Sequence, residues 1–191
     1  MVRLAGFYEE EPVQVLEQQL NAEEYASARL VYDYSALPVR NPRVRAGLCA
    51  CAALLAGSLI PWYATRFATV YVPVACVLLF LALALFFVRE QPRQHRQQAT
   101  ALFQSSRLFP LPSVLSVYRD RLQLKNERET LTEFWTDYAG CVENSAFYIL
   151  GGGISRQLVV IKKNGLLPGQ EATLTQHFAN AFAGRYRRVK S

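Results

Sequence analysis

Two histidines are the first residues to consider for chemistry, because histidine is a common general base and metal ligand near neutral pH. His95 lies in a polar stretch, and His177 lies one position away from the apolar stripe of a predicted helix. Neither has a nucleophile or a second metal ligand at a recognisable spacing. The simpler interpretation of His177 is a histidine on a helix surface, so neither residue predicts a catalytic site.

The four cysteines do not form a pattern with chemistry either. Cys49 and Cys51 are two positions apart, so on a helix they would point to different sides. Both lie among apolar residues, as does Cys76, and only Cys141 lies in polar sequence. This is not a disulfide framework. We therefore expect reduced thiols that serve in packing.

A glycine run and three carboxylates complete the search for reactive groups. The run Gly151–Gly153 could present backbone amides to a phosphate, but it lacks a following Gly-Lys-Ser/Thr signature and leads into a predicted strand. A hairpin loop is the favoured interpretation. Glu133, Asp137 and Glu143 have no evident partner and are expected on the solvated side of strands. We predict no catalytic residue, cofactor or metal, and hence not an enzyme.

Two uncharged runs dominate the middle of the chain. No charged residue occurs from Ala46 to Thr65 or from Phe67 to Val88, and Arg66 separates the runs. About twenty residues of helix cross roughly 30 Å of hydrocarbon. A 191-residue chain could hardly enclose two helices that are apolar on every face. The runs therefore predict a transmembrane hairpin with spans at 46–65 and 67–88. The start of the chain is polar and acidic, which does not indicate a cleaved signal peptide.

Basic residues predict the orientation of this hairpin. Positive residues that flank membrane spans are enriched on the cytoplasmic side. The loop between the two spans contains only Arg66. Six arginines precede the first span or follow the second: Arg40, Arg43, Arg45, Arg89, Arg93 and Arg96. Trp62, Tyr63 and Tyr71 suit an aromatic belt at the far interface. We expect an inner-membrane protein of bacterial type with both termini in the cytoplasm.

Residues 1–45 form the predicted cytoplasmic N-terminal segment. A short strand is expected from Pro12 to Leu16, with Val13 and Val15 on one face. Asn21 followed by Glu24 resembles a capping box, which would open a helix that continues to about Tyr34. In the first span, small residues permit close packing against the second: Ala46, Gly47, Ala50, Ala53 and Gly57.

Residues 89–108 form a polar connector, in which a helix is predicted from Ala99. In residues 109–191 the apolar residues recur at every second position instead. Alternation predicts strands around Leu115–Val117, Leu122–Leu124 and Leu131–Trp135, then Cys141–Glu143, Ala146–Leu150 and Gln157–Lys162. Glu171 to about Tyr186 carries an apolar residue every fourth position, which predicts a closing helix. The fold class is α+β, with a small antiparallel β domain of pleckstrin-homology-like type. Trp135 is expected to be its structural anchor.

Several segments resemble the YcxB-like family of membrane proteins, which place two transmembrane helices before a small cytoplasmic domain. The similar segments are Leu20–Tyr25, Tyr118–Leu124, Phe134–Tyr138, Phe147–Leu150 and Val160–Lys163. The resemblance implies a fold and a topology. It implies no catalytic residues, because the family has no established reaction.

The distribution of charge suggests partners. Residues 89–191 hold fifteen Lys and Arg against eight Asp and Glu, whereas residues 1–45 hold five against seven. Four cations end the chain and are candidate contacts for anionic lipid: Arg185, Arg187, Arg188 and Lys190. A solubilising tail is the alternative. Nucleic-acid binding is not expected, because no aromatic residues are interleaved with the tail.

Two functions from different classes fit these features. The first is a non-enzymatic binding or scaffold module at the inner leaflet, with the bilayer and either anionic lipid or a protein as partners. The second is an accessory or immunity-type subunit that pairs with another membrane protein through the hairpin. A homo-oligomer is an open alternative.

Overall fold

The structure is a computed structural model that describes residues 11–36, 38–106, 109–153 and 158–189. The chain divides into two compact units. The helical unit runs from Asp33 to Gln98. The β unit takes in the N-terminal segment as far as Tyr32 together with the chain from Ala99 onward. The segment before the apolar helices thus belongs to the same unit as the C-terminal strands.

The helical unit contains the two predicted apolar segments. Along the chain, α1 (Ala22–Ala36) and a 3-10 turn at Pro38–Arg40 come first. They are followed by α2 (Pro42–Ser58), α3 (Ile60–Phe67), α4 (Tyr71–Leu85) and α5 (Gln91–Ser105). Two helical stretches, Pro42–Phe67 and Tyr71–Ser105, are long and apolar enough to cross a membrane. Only 11% and 6% of their most apolar windows are buried, so their apolar side chains face outward. They are not core helices of the described structure.

Small residues of α2 pack against α4, as predicted for part of the set. Ala46 and Ala53 are buried in a helix that is otherwise largely exposed. A Cβ built on Gly57 would lie 3.9 Å from Val77 of α4. Gly47 and Ala50, by contrast, are exposed and take no part in this seam.

The polar connector is helical from Gln91, well before the predicted start at Ala99. A π-helical turn at Phe86–Glu90 precedes it, in which the Gln91 amide donates to the Phe86 carbonyl. Pro92 explains the wide turn, because proline has no amide hydrogen and its ring clashes with the carbonyl four residues earlier in an α-helix. The distortion accommodates the proline without ending the helix.

The β unit contains two four-stranded sheets. The strands are β1 (Gln14–Gln18), β2 (Ser113–Val117), β3 (Arg121–Lys125), β4 (Thr130–Phe134), β5 (Gly140–Glu143), β6 (Phe147–Gly151), β7 (Val159–Lys162) and β8 (Tyr186–Arg188). The first sheet has the order β1-β2-β3-β4 and is antiparallel; the second has the order β7-β6-β5-β8, in which only the β5–β8 pair is parallel. The six strands predicted after residue 109 are confirmed.

Two predictions about the β unit were wrong in detail. The first strand is Gln14–Gln18 and not Pro12–Leu16. Val13 and Val15 do lie on the same side, which is the exposed one at 43% and 50%, whereas Leu16 faces the core. Pairing with β2 sets this register, and a one-residue shift inverts the faces of a strand. The last helix, α6, is Pro168–Ala181 and does not reach Tyr186, which lies on β8.

Helices cover both faces of the second sheet. Tyr148 of β6 packs on α6, with its ring 5.2 Å from that of Phe178 and its hydroxyl 2.6 Å from the Thr175 hydroxyl. Gly151 of the same strand faces the other way, where a Cβ would meet the Tyr32 ring of α1 at 2.1 Å. Only glycine permits this approach. The predicted cap of α1 is confirmed, because Asn21 and Glu24 exchange backbone-to-side-chain bonds of 2.9 and 2.8 Å.

Candidate functional site

The two histidines lie in separate aromatic contacts. His95 stacks on Tyr34, with Nδ1 3.3 Å from the tyrosine hydroxyl. His177 lies half-buried against Trp135 and Phe178. Burial lowers the pKa of His177, and a hydrogen bond with the Tyr118 backbone opposes this effect only in part. In the described ranges, no group of three His, Cys, Asp or Glu side chains is placed to hold a metal ion.

The predicted hairpin loop at Gly151–Gly153 joins β6 to β7. Gly151 is the last residue of β6, and β7 begins at Val159. Residues 154–157 of the loop lie outside the described residues. The glycine run therefore leads from strand to strand, which is the context expected for a hairpin rather than for a phosphate loop before a helix.

The C-terminal basic residues are part of the fold where the structure describes them. Arg185 Nη1 donates to the Tyr138 carbonyl at 2.8 Å. Arg188 donates from Nε and Nη2 to the two oxygens of Glu143, at 3.1 and 2.8 Å. Arg187 is exposed on β8, and Lys190 lies outside the described residues. Contact of these four residues with lipid stays a prediction.

Glu143 is the center of a buried polar cluster that the sequence did not reveal. Its side chain is 1% exposed, and Lys163 Nζ, at 7% exposure, lies 2.5 Å from Oε1 and 2.9 Å from Oε1 of Glu171. The Tyr186 hydroxyl and the Arg188 guanidinium also donate to the Glu143 carboxylate. Glu133 and Glu143 were both expected on the solvated side of strands, and that prediction was wrong because each is 1% exposed.

The electrostatics of this cluster indicate a structural role. Burial alone would raise the pKa of Glu143, but hydrogen bonds from Arg188, Lys163 and Tyr186 outweigh it and lower the pKa to about 2. A carboxylate that is ionised and surrounded by donors is a poor proton acceptor. The cluster instead attaches β8 to β5, where Val189 N also donates to the Glu143 carbonyl at 2.8 Å.

The flanking arginines lie at one end of the helical hairpin. The guanidinium of Arg45, at the start of α2, lies 5.7 Å from the centre of the Phe87 ring, which follows α4. This contact places the first and second arginine groups at the same end. At the other end, Arg66 is exposed beside a cluster of aromatic rings formed by Trp62, Tyr63 and Phe67.

A groove in the β unit lies beside the unpaired edge of β1. Its volume is about 350 Å³, and its walls are β1 and the turn that follows β7. At one end, the Gln18 side chain bridges the strands: Nε2 donates to the Val160 carbonyl at 2.8 Å, and Oε1 accepts from the Lys162 amide at 3.0 Å. No local sequence signal marks this site, because its two walls are more than 140 residues apart.

No family model, curated protein or solved structure matches this chain. The function must therefore be inferred from the residues and geometry of the chain itself.

Proposed function

We propose that this chain is a non-enzymatic binding module anchored at the inner leaflet of the inner membrane by its helical hairpin, with both termini in the cytoplasm. One observation carries the proposal: six arginines lie at one end of two outward-facing apolar helices, and Arg66 alone lies at the other. Basic residues near the ends of spans remain on the cytoplasmic side. Both chain termini would then share that side with the β unit.

A binding role fits the β unit better than catalysis. The buried carboxylate of Glu143 is saturated with donors, and the half-buried His177 packs among aromatic rings. The groove beside β1, in contrast, is open and lined by polar groups. We also propose a pleckstrin-homology-like fold, supported by two four-stranded sheets and by the packing of the C-terminal helix α6 on one face of the second sheet. Membership of the YcxB-like family stays a prediction.

The alternative is an accessory subunit that pairs with another membrane protein through the hairpin. Gly47 and Cys51 are both exposed and lie four positions apart on α2. A Cβ built on Gly47 would meet no atom within 4 Å. Small residues at this spacing permit close approach of a further helix, and this face is where such a partner would pack.

The orientation is tested by cysteine labelling in intact cells. We expect Thr69→Cys, between α3 and α4, to react with a membrane-impermeant maleimide, because this turn would face the periplasm. Glu127→Cys, in the exposed β3–β4 turn, should react only after permeabilisation. The native thiols give little background, since three lie in the hairpin helices and Cys141 is buried. The reverse labelling pattern would overturn the proposed orientation.

Lipid contact by the C-terminal cations is tested in nanodiscs that contain the full chain. We expect anionic lipid to slow amide hydrogen exchange at residues 185–189 at low salt but not at high salt, because counterions screen exposed charges. Arg187→Gln with Lys190→Gln should remove this difference while leaving the Arg188–Glu143 pair intact.

The matched control is Arg119→Gln with Arg128→Gln, two exposed arginines elsewhere in the β unit. This control should retain the salt-dependent protection. If anionic lipid slows exchange in neither the native chain nor the control, the proposed lipid contact is wrong, and a protein partner becomes the better account.

A further inference from the structure

The direction of the backbone groups along β1 follows from the hydrogen bonds of the neighbouring strands. Tyr118 N donates to the Arg121 carbonyl at 2.9 Å and closes the β2–β3 hairpin. Residues of an antiparallel strand direct their N–H and C=O groups alternately to one side and the other. Ser116 and Val114 therefore face β3, whereas Leu115 and Val117 face β1.

Two residues of β1 direct their backbone groups away from the sheet. Leu16 is paired with Leu115, and Gln14 with Val117, so these two residues bond to β2. Alternation then directs the N–H and C=O groups of Val15 and Glu17 toward the free edge. Among the described residues, no main-chain bond from another element reaches Val15 or Glu17 on that side. Unpaired groups on an edge strand are a template for another strand.

At the edge of β7, backbone groups that face β1 bond to a side-chain amide. Lys163 N donates to the Ala146 carbonyl, so alternation directs Val160 and Lys162 away from β6. The side-chain amide of Gln18 bonds to both of these residues. It thus makes the two bonds that the N–H and C=O groups of one residue in a parallel strand beside β7 would make. A second link lies beside it, where Lys162 Nζ donates to the Gln19 carbonyl at 3.3 Å.

The groove lies beside Gln18, between β1 and the turn that follows β7. Its volume of about 350 Å³ lies within the usual range for ligand clefts, roughly 300–1,000 Å³. Val15 and Glu17 line one wall; Asn164, Gly165 and Gln170 line the other. The free backbone groups of β1 therefore border an open space rather than bulk protein.

We propose that this groove binds an extended peptide segment of a partner protein, which adds to β1 as a further strand. The proposal rests on the proposed function of a binding module and names its ligand. Backbone bonds to Val15 and Glu17 would hold the segment, as in other complexes formed by strand addition.

The side chains of β1 define the sequence that fits. Val13, Val15 and Glu17 alternate on the outward side, and both valines are largely exposed. Glu17 is exposed and forms no ion pair among the described residues. Because cross-strand neighbours of like polarity and opposite charge stabilise a sheet, the segment should carry β-branched or aromatic residues at alternate positions and a Lys or Arg opposite Glu17.

The test uses the full chain in detergent and a phage-displayed library of random linear peptides. We expect the enriched peptides to carry apolar residues at alternate positions. A basic residue should occupy one further position on the same face of the peptide strand. Methylation of alternate backbone amides in a selected peptide should weaken binding by about tenfold or more, because each lost main-chain bond contributes roughly 1 kcal/mol. Methylation of the other amides should have little effect.

Two variants locate the site. Val15→Pro removes an amide hydrogen that faces the free edge, a position where an edge strand tolerates proline, and should weaken peptide binding by about tenfold. Thr132→Pro is the matched control, because Thr132 faces the free edge of β4 by the same alternation. It should leave peptide affinity unchanged. Glu17→Lys, which keeps the backbone intact, should shift the selection from basic to acidic peptides.

The possible outcomes are separable. No enrichment, or selected peptides that ignore both Val15→Pro and Glu17→Lys, would overturn the groove as a peptide site. Because cysteine labelling tests the membrane orientation independently, that result would leave the anchored module in place and reject only its ligand. Labelling that reverses the orientation would reject the proposed location even if peptides bind.

Discussion

Replacing Trp135 by alanine is expected to lower the free energy of unfolding of the β unit by about 3–5 kcal/mol. The side chain is 5% exposed, and its ring lies 5.8 Å from the ring centers of both Phe178 and Phe182. Its indole nitrogen donates to the Arg119 carbonyl at 2.9 Å. The ring therefore joins the end of β4 to α6. The cavity left by alanine and the unpaired carbonyl both contribute to the expected loss.

The measurement is urea unfolding of the full chain in detergent, followed by far-UV circular dichroism. Trp135→Phe keeps most of the ring contacts and loses the hydrogen bond, so a smaller loss is expected, about 1–2 kcal/mol. Trp62→Ala is the control, because this ring is 54% exposed and belongs to the helical unit. A loss below about 1 kcal/mol for Trp135→Ala would mean that the ring is a surface residue available to a partner.

Local sequence patterns were sufficient to predict the strands and helices whose apolar residues all lie on one buried face. Leu122 and Leu124 alternate with polar neighbours, and both are buried in β3. Leu174 and Phe178 recur at helical spacing, and both are buried on α6. Asn21 with Glu24 identified the start of α1 correctly. In each case the chemistry that fixes the structure lies within a few residues along the chain.

The end of the last helix depends on tertiary contacts and could not be predicted locally. The apolar spacing continues through Phe182 to Tyr186, which suggested a helix to that point. Gly184 adopts a positive φ of 77°, and the chain then turns into a parallel strand of three residues. Tyr186 and Arg188 hold this strand by donating to Glu143, 43 and 45 residues earlier. Nothing adjacent in sequence marks these partners.

The groove could not be predicted from the sequence either, because the residues that form it are far apart along the chain. Gln18 reads as an ordinary polar residue at the end of a strand, yet its amide joins two sheet edges by bonds to residues 142 and 144 positions away. The alternation of Val13 and Val15 predicted that they share one face of a strand, but it did not indicate whether that face is buried. Their exposure on the edge strand is the feature that a sequence pattern could not distinguish from core packing.

Replacing Glu143 by glutamine is expected to lower the free energy of unfolding by about 3–5 kcal/mol, because one member of a buried ion pair would lose its partner. Lys163 is 7% exposed and would keep only Glu171, whose side chain is 43% exposed. Arg188 would lose the carboxylate that holds β8 beside β5. Faster hydrogen exchange at residues 186–189 should accompany the loss. Glu17→Gln, at an exposed and unpaired carboxylate, is the control.

The same residue predicts how stability depends on pH. The pKa of Glu143 is about 2 in the folded chain, against an ordinary value of 4.5, which applies when the chain is unfolded. A depressed folded-state pKa contributes stability that is fully present above pH 4.5 and is lost as the pH falls toward 2. The contribution corresponds to roughly 3 kcal/mol. The native chain should therefore lose stability relative to Glu143→Gln between these two pH values.

A double variant distinguishes a charge effect from a packing effect. If Glu143→Gln is costly because Lys163 is left without a counterion, then adding Lys163→Met should recover part of the loss, since it removes the buried charge. If glutamine simply fits the site poorly, the two losses should add. Urea unfolding at neutral pH and at pH 3 measures both cases. Additive losses together with unchanged acid sensitivity would show that β8 is held by its backbone bonds and not by the buried carboxylate.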